Sequence, residues 1–193
     1  KRRPFLYIFS LTAAVMSNFY FGYMICLLVI LYCIFRYKAV FGTFELKTTA
    51  GWVGRVLGCS VIALMLSAVI LLPVAVCALS AGRMSADRWF PLLYSESYYK
   101  NFVPAFLYGE AGNWSEMGYT AYGLLGIFLL SVQKKKNTLL KAGFVVMTLF
   151  MLVPFAGYVM NGGTYAANRY AWAYGMLVAY IFVHTWPDLA KFT

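Results

Sequence analysis

The sequence predicts an all-α fold: a polytopic transmembrane helical bundle of about six membrane helices, the first two forming a short hairpin. Three observations predict it. Hydrophobic residues make up 63% of the 193-residue chain and charged residues only 11%, where soluble domains hold about 45–50% and about 25%. The charges lie in short clusters between long uncharged runs. Aromatic residues reach 19%, and Tyr and Trp gather at membrane interfaces. The net charge of +10 does not point to nucleic acid, because the basic residues do not form one solvated face.

The first apolar stretch runs from Pro4 to Phe35. As one helix it would be about 48 Å long, well beyond a hydrocarbon core of about 30 Å. Ser17-Asn18-Phe19-Tyr20-Phe21-Gly22-Tyr23 interrupts it with turn-forming residues. Residues 1–35 therefore read as a helical hairpin. Residues 36–55 carry Arg36, Lys38, Lys47 and Arg55 among Phe41, Phe44, Leu46 and Trp52, which suits a cytoplasmic interfacial segment. Residues 56–80 are uncharged, long enough for a span and expected to kink at Pro73. Residues 81–118 form an outer loop, 119–133 a returning helix, and 139–160 and 169–187 a last helix pair around the turn Asn161–Arg169.

Charge sets the expected orientation. With a hairpin at the start, 12 of the 16 Lys and Arg fall on one side, and four of the six acids fall on the other. The basic side is cytoplasmic by the positive-inside rule, which puts both ends of this chain in the cytoplasm. A single long first helix would split the basic clusters. Lys1-Arg2-Arg3-Pro4 lacks an initiator Met, and the chain reads as a piece of a longer protein.

Polar residues at membrane depth default to function. Asn18, Tyr20 and Tyr23 at the hairpin tip could hydrogen-bond a ligand, or simply cap a helix and join an aromatic belt. Asn161, Tyr165, Asn168 and Arg169 cluster in the last outer turn. Arg169 precedes a helix, where the dipole disfavours a cation; it either meets a partner, a phosphate or an acid such as Glu116, or simply snorkels at an interface. The outer loop adds Asp87, Glu96, Glu110 and Glu116, any of which could serve as a general base. Asn113-Trp114-Ser115 fits a glycosylation sequon, a short pattern common by chance. Cys26, Cys33, Cys59 and Cys77 lie in apolar runs without metal spacing. His184, near one helix end, reads as structural. No metal cluster, phosphate-binding glycine loop or nucleophile elbow is present in the sequence, so no metal site is assigned and no cofactor is expected, with metal use left open.

Ser17-Asn18-Phe19-Tyr20-Phe21-Gly22-Tyr23-Met24 closely resembles a motif of the bacterial YfhO family. Asn161-Gly162 followed by Tyr165-Ala166-Ala167-Asn168-Arg169-Tyr170 resembles a second. There the family tends to read Asn-Gly, then Tyr, then Ser-Asn-Arg and an aromatic. Ala167 departs by losing a hydroxyl, and Gly163 stands where a larger residue is expected. The resemblance covers essentially the whole chain. It implies a membrane glycosyltransferase of the GT-C type in the bacterial cytoplasmic membrane. Such an enzyme transfers a sugar from a polyprenyl-phosphate donor to a cell-envelope polymer, lipoteichoic-acid-like, on the outer face. The implied partners are membrane lipids, the lipid-linked sugar and the envelope acceptor. In GT-C enzymes the catalytic acid lies in the first outer loop, which is expected upstream of Lys1. Here Arg88 and Arg169 would meet phosphate, Asn18, Tyr20, Tyr23 and Asn168 would meet sugar or head group, and Glu116 is the best acid in view. The alternatives are a transporter or lipid flippase, or a membrane subunit without chemistry of its own.

Overall fold

The computed structural model describes residues 3–43, 45–80, 91–133 and 137–189. Their regular structure is entirely helical. The chain divides into two compact units, residues 1–86 and 87–193.

In the first unit, α1 (Pro4–Ser17) opens on a proline, whose missing N–H costs nothing at a helix start. Asn18 ends it in extended backbone. The Asn18 Oδ1 then accepts from the N–H groups of Tyr20 (3.0 Å) and Phe21 (3.3 Å), capping α2 (Phe19–Phe41). The two helices fold back on each other at Gly22, where a Cβ would stand 2.9 Å from the Val15 Cα. Leu11 and Val15 of α1 bury against Ala63 of α3 (Leu46–Leu66). The Tyr7 hydroxyl bonds Ser60 Oγ at 2.8 Å across the same face.

Two boundaries differ from the sequence reading. Residues 36–55 do not form an element of their own. α2 continues to Phe41, the chain reverses at Gly42 (φ 72°), and α3 starts at Leu46. Trp52 closes this turn by packing on Tyr37 and Phe41, each with ring centroids 5.8 Å away. The second difference is the kink. The helix expected over 56–80 is interrupted at Ser67, between α3 and α4 (Ala68–Ser80), while Pro73 lies inside α4. The Ser67 Oγ donates to the Ala63 carbonyl at 2.8 Å, and such back-bonding bends helices.

The second unit holds α5 (Glu96–Phe102), α6 (Ala105–Tyr108), α7 (Ala121–Val132), α8 (Thr138–Leu152), α9 (Pro154–Met160) and α10 (Ala171–Leu189). α7 and α10 run parallel. Gly123 faces Val178, Gly126 faces Phe182, and Gln133 Nε2 donates to Asp188 at 2.6 Å. α8 runs against them, with Thr148 bonded to Tyr174 at 2.8 Å and Asn137 beside His184 at 3.1 Å. Residues 91–118 and 161–170 therefore lie at one end of the helices. Gln133, Asn137, His184 and Asp188 lie at the other.

The helix expected over 139–160 is not straight: α8 and α9 meet at an angle of 91°. Pro154 supplies no N–H to the Phe150 carbonyl, and its ring crowds that group. Among the described residues, Phe19–Tyr37 and Leu46–Leu66 are each long and apolar enough to cross a membrane, and α8 with α9 makes a third if counted together. α1, α7 and the Ala68–Cys77 part of α4 are apolar but shorter.

The glycine contacts between α7 and α10 are testable. A Cβ at Gly126 would lie 2.8 Å from the Phe182 Cα, a backbone atom that only a helix shift can move. Gly126→Ala is expected to destabilise the second unit by about 1–3 kcal/mol, read as a lowered melting temperature in detergent. Gly143→Ala, where a Cβ meets nothing within 4 Å inside α8, should leave stability unchanged or raise it by up to about 1 kcal/mol.

Candidate functional site

The break at Pro154 leaves three carbonyls of α8 without their helical donors. Side chains supply all three. The Tyr170 hydroxyl donates to the Phe150 carbonyl at 2.6 Å. Tyr98 (2.7 Å) and Asn168 Nδ2 (3.0 Å) donate to that of Met151. Tyr99 donates to that of Leu152 at 3.0 Å. α5 delivers Tyr98 and Tyr99, because Ser95 caps it: the Ser95 Oγ accepts from the Tyr98 N–H at 3.4 Å.

Asn168 is the hub. Its Oδ1 accepts from the Tyr94 hydroxyl at 2.9 Å. Its Nδ2 also lies 2.9 Å from Tyr98 Oη and 3.0 Å from Ser115 Oγ. Asn168 and Ser115 are both wholly buried. Gly157 lets the helix break approach: a Cβ there would stand 2.7 Å from Tyr94 Oη and 2.8 Å from Asn168 Oδ1. Burial raises the Tyr94 and Tyr98 phenols above their ordinary value of 10.0, so both remain protonated donors at neutral pH.

The backbone N–H of Asn168 donates to the Asn113 carbonyl at 2.8 Å. That bond holds a tight turn, with Asn113 at φ 50° and Trp114 at φ 63°. Left-handed backbone is rare for a bulky side chain and clusters at functional sites. The turn joins the two sides of an antiparallel bridge between Glu110 and Glu116, so paired carboxylates stand on the same short ribbon as the displaced Trp114.

An open pocket of about 440 Å³ lies here, lined by Glu110, Asn113, Trp114, Glu116, Tyr165 and Ala166. Its volume is in the range of small-molecule sites. Arg169 borders it. Its guanidinium stacks 4.4 Å from the Trp114 ring centroid and 5.8 Å from that of Tyr165, and it donates to Tyr165 Oη at 2.7 Å. Aromatic faces thus supply partners for a cation that the helix dipole disfavours. Both carboxylates are exposed. The arrangement can accept hydroxyl protons, stack against a ring, and offer a positive group beside them.

Three candidates read from the sequence, Glu116, Tyr165 and Arg169, come together at this pocket. Asn168 does not reach it: buried and saturated with hydrogen bonds, it positions the turn, which corrects its expected contact with sugar or head group. Asn161 is also nearly buried. Its Nδ2 donates to Thr164 Oγ1 and the Tyr165 carbonyl, each at 3.0 Å, so it shapes the turn that carries Tyr165. Asn18, Tyr20 and Tyr23 belong to the first unit, where Asn18 caps α2 and Tyr23 is 41% exposed. Arg88 and Asp87 lie outside the described residues. Ser115 of the sequon is engaged by Tyr98 and Asn168. Sequence reasoning missed Trp114, Glu110 as the pair of Glu116, and the tyrosines that seal the break. Pro154 within an uncharged run was the available signal.

The family model described as bacterial membrane protein YfhO matches residues 1–193, the full length of the chain. No curated protein and no solved structure matches it.

Two outcomes check the role of Asn168. Asn168→Ala strands the Tyr94 hydroxyl and weakens the hold on the Met151 carbonyl, so it should destabilise the second unit by at least about 1–3 kcal/mol in thermal melts. The phenols give a pH signature. The folded state holds their protons more tightly than the unfolded chain does. Stability should be flat below the ordinary phenol value of 10.0 and fall as pH rises above it. Tyr98→Phe should shrink that alkaline loss.

Proposed function

Because the chain belongs to the YfhO family of bacterial membrane proteins, we propose that it forms part of a GT-C-type glycosyltransferase of the cytoplasmic membrane. The reaction takes a sugar from a polyprenyl-phosphate donor to a hydroxyl of an envelope polymer, lipoteichoic-acid-like, outside the membrane. The observation that carries this reading is the pocket that pairs Glu110 and Glu116 with Trp114 and Tyr165, beside the Arg169 guanidinium.

The chemistry asks for these groups. The acceptor oxygen attacks the anomeric carbon and its proton passes to a carboxylate, for which Glu116 is the candidate in this chain. The bond from that carbon to the donor's phosphate oxygen breaks, and polyprenyl phosphate leaves with the electron pair. Arg169 is the candidate to meet the developing phosphate charge. Trp114 and Tyr165 offer ring faces to a sugar. The pocket end of the second unit faces outward in this reading, and both chain ends face the cytoplasm.

A transporter would use a broken helix differently, presenting its freed carbonyls to substrate near mid-membrane. Here the carbonyls freed at Pro154 are taken by Tyr170, Tyr98, Asn168 and Tyr99, which favours the transferase.

The test uses the intact protein, reconstituted with a polyprenyl-phosphate sugar and an envelope acceptor. Glu116→Gln should lower kcat by about 100-fold or more if it takes the proton. A rise in KM alone would reassign it to hydroxyl binding. Arg169→Ala should abolish transfer without loss of membrane insertion, and normal turnover in that variant would refute the phosphate role. Single cysteines placed at the exposed positions Glu96 and Lys100 should react with an impermeant reagent from outside, while one at Asn137 should not; the reverse pattern inverts the orientation.

A further inference from the structure

The stretch from α5 through α6 carries a second surface, opposite the tyrosine cluster. Val103 and Pro104 keep helical backbone angles between the two helices (φ −70°, ψ −48° and φ −55°, ψ −32°), so helical spacing holds across the junction. Tyr98, Phe102 and Ala105 form the buried face. Glu96, Lys100, Val103 and Leu107 follow one another at intervals of four, three and four, which places them on the outward stripe. That stripe changes character along its length. Its first half is the exposed ion pair of Glu96 and Lys100, at 2.6 Å. Its second half is Val103, 73% exposed, and Leu107, 59% exposed, followed by Tyr108 at 87%.

Its height is set by the neighbouring helices. Phe106 packs on Tyr119 at 5.5 Å and on Tyr174 at 6.1 Å between ring centroids. Tyr119 lies just before α7, and Tyr174 lies in the first turn of α10. The apolar half of the stripe therefore sits level with the starts of two parallel helices. The outward faces of those helices continue it: Tyr122 and Met176, 62% and 66% exposed, lie within two turns of Phe106's partners.

We propose that α6 and the end of α5 dock onto the membrane surface, with Val103, Leu107 and Tyr108 in the interfacial layer and the Glu96–Lys100 pair in water. A tyrosine with aliphatic neighbours suits that layer. The commitment to lipid rests on continuity with the outward faces of α7 and α10, and on the charge gradient along one stripe. Gly109, at the end of α6, starts the segment that leads to the Glu110–Glu116 bridge. Docking α6 therefore holds the pocket against the bilayer, whatever it binds.

The experiment uses the intact protein in vesicles of phosphatidylglycerol and phosphatidylethanolamine, with Cys26, Cys33, Cys59 and Cys77 replaced. An environment-sensitive fluorophore is attached at Leu107→Cys or, separately, at Lys100→Cys. Val103→Cys provides a second apolar position should Leu107→Cys not fold. Lipids spin-labelled high on the acyl chain should quench positions 107 and 103 several-fold more than position 100. Aqueous iodide should show the opposite order. Iodide quenching at all three positions would place the stripe in water, and shielding of 107 and 103 from both quenchers would place protein over it. Either result overturns the proposal.

Discussion

The second unit depends on one break and the way it is healed. Pro154 bends α8 into α9 by 91°, and a helix break is costly unless each freed buried carbonyl finds a donor. Phenols of Tyr98, Tyr99 and Tyr170, with the Asn168 amide, provide those donors. They come from α5 and from the turn before α10, so the repair pins the loop that carries α5 and the last turn to the break. Gly157 completes the arrangement by leaving room for Tyr94 and Asn168.

From that repair the pocket follows. Asn168 uses its side chain on the break and its backbone N–H on the Asn113 carbonyl. The second bond stabilises a turn that puts Trp114 in left-handed backbone. Trp114 then receives the Arg169 guanidinium, and its ribbon carries Glu110 and Glu116 opposite each other. Buried polar contacts that touch no ligand thus orient the exposed groups that can. An aspartate at position 168 would keep the acceptor for Tyr94 but lose the amide donors, and it would bring a buried charge.

The helical class and the interruption at Asn18 were legible because length and composition exclude the alternatives: Pro4 to Phe35 is too long for one span, and Asn and Gly sit at its middle. The meeting of the outer loop with the last turn was legible through topology and charge. The bend at Pro154 was not, since an uncharged run looks the same whether straight or broken, and Pro73 shows that a proline can lie within a continuous helix. Asn168 stood out in the sequence as a polar residue of the last turn, but its burial depends on tyrosines about 70 residues away, which no local pattern reveals. Trp114 was hidden for a similar reason. Its left-handed backbone sits in a turn closed locally by the Ser115 N–H on the Gly112 carbonyl and held from a distance by the Asn168 N–H on the Asn113 carbonyl, and the second bond leaves no trace in the local sequence.

The parallel pairing of α7 and α10 bears on how the protein is made. Their register joins Gln133 to Asp188, 55 residues apart, and sets Gly123 against Val178 and Gly126 against Phe182 of α10. During synthesis α7 emerges well before its partner, and with 12 residues it is about 18 Å long, too short to cross a bilayer comfortably. Until α8, α9 and the start of α10 have been translated, it lacks the helix against which its glycine face packs. The second unit is therefore expected to assemble late and as a block, with its polar end closing only after the last helix arrives.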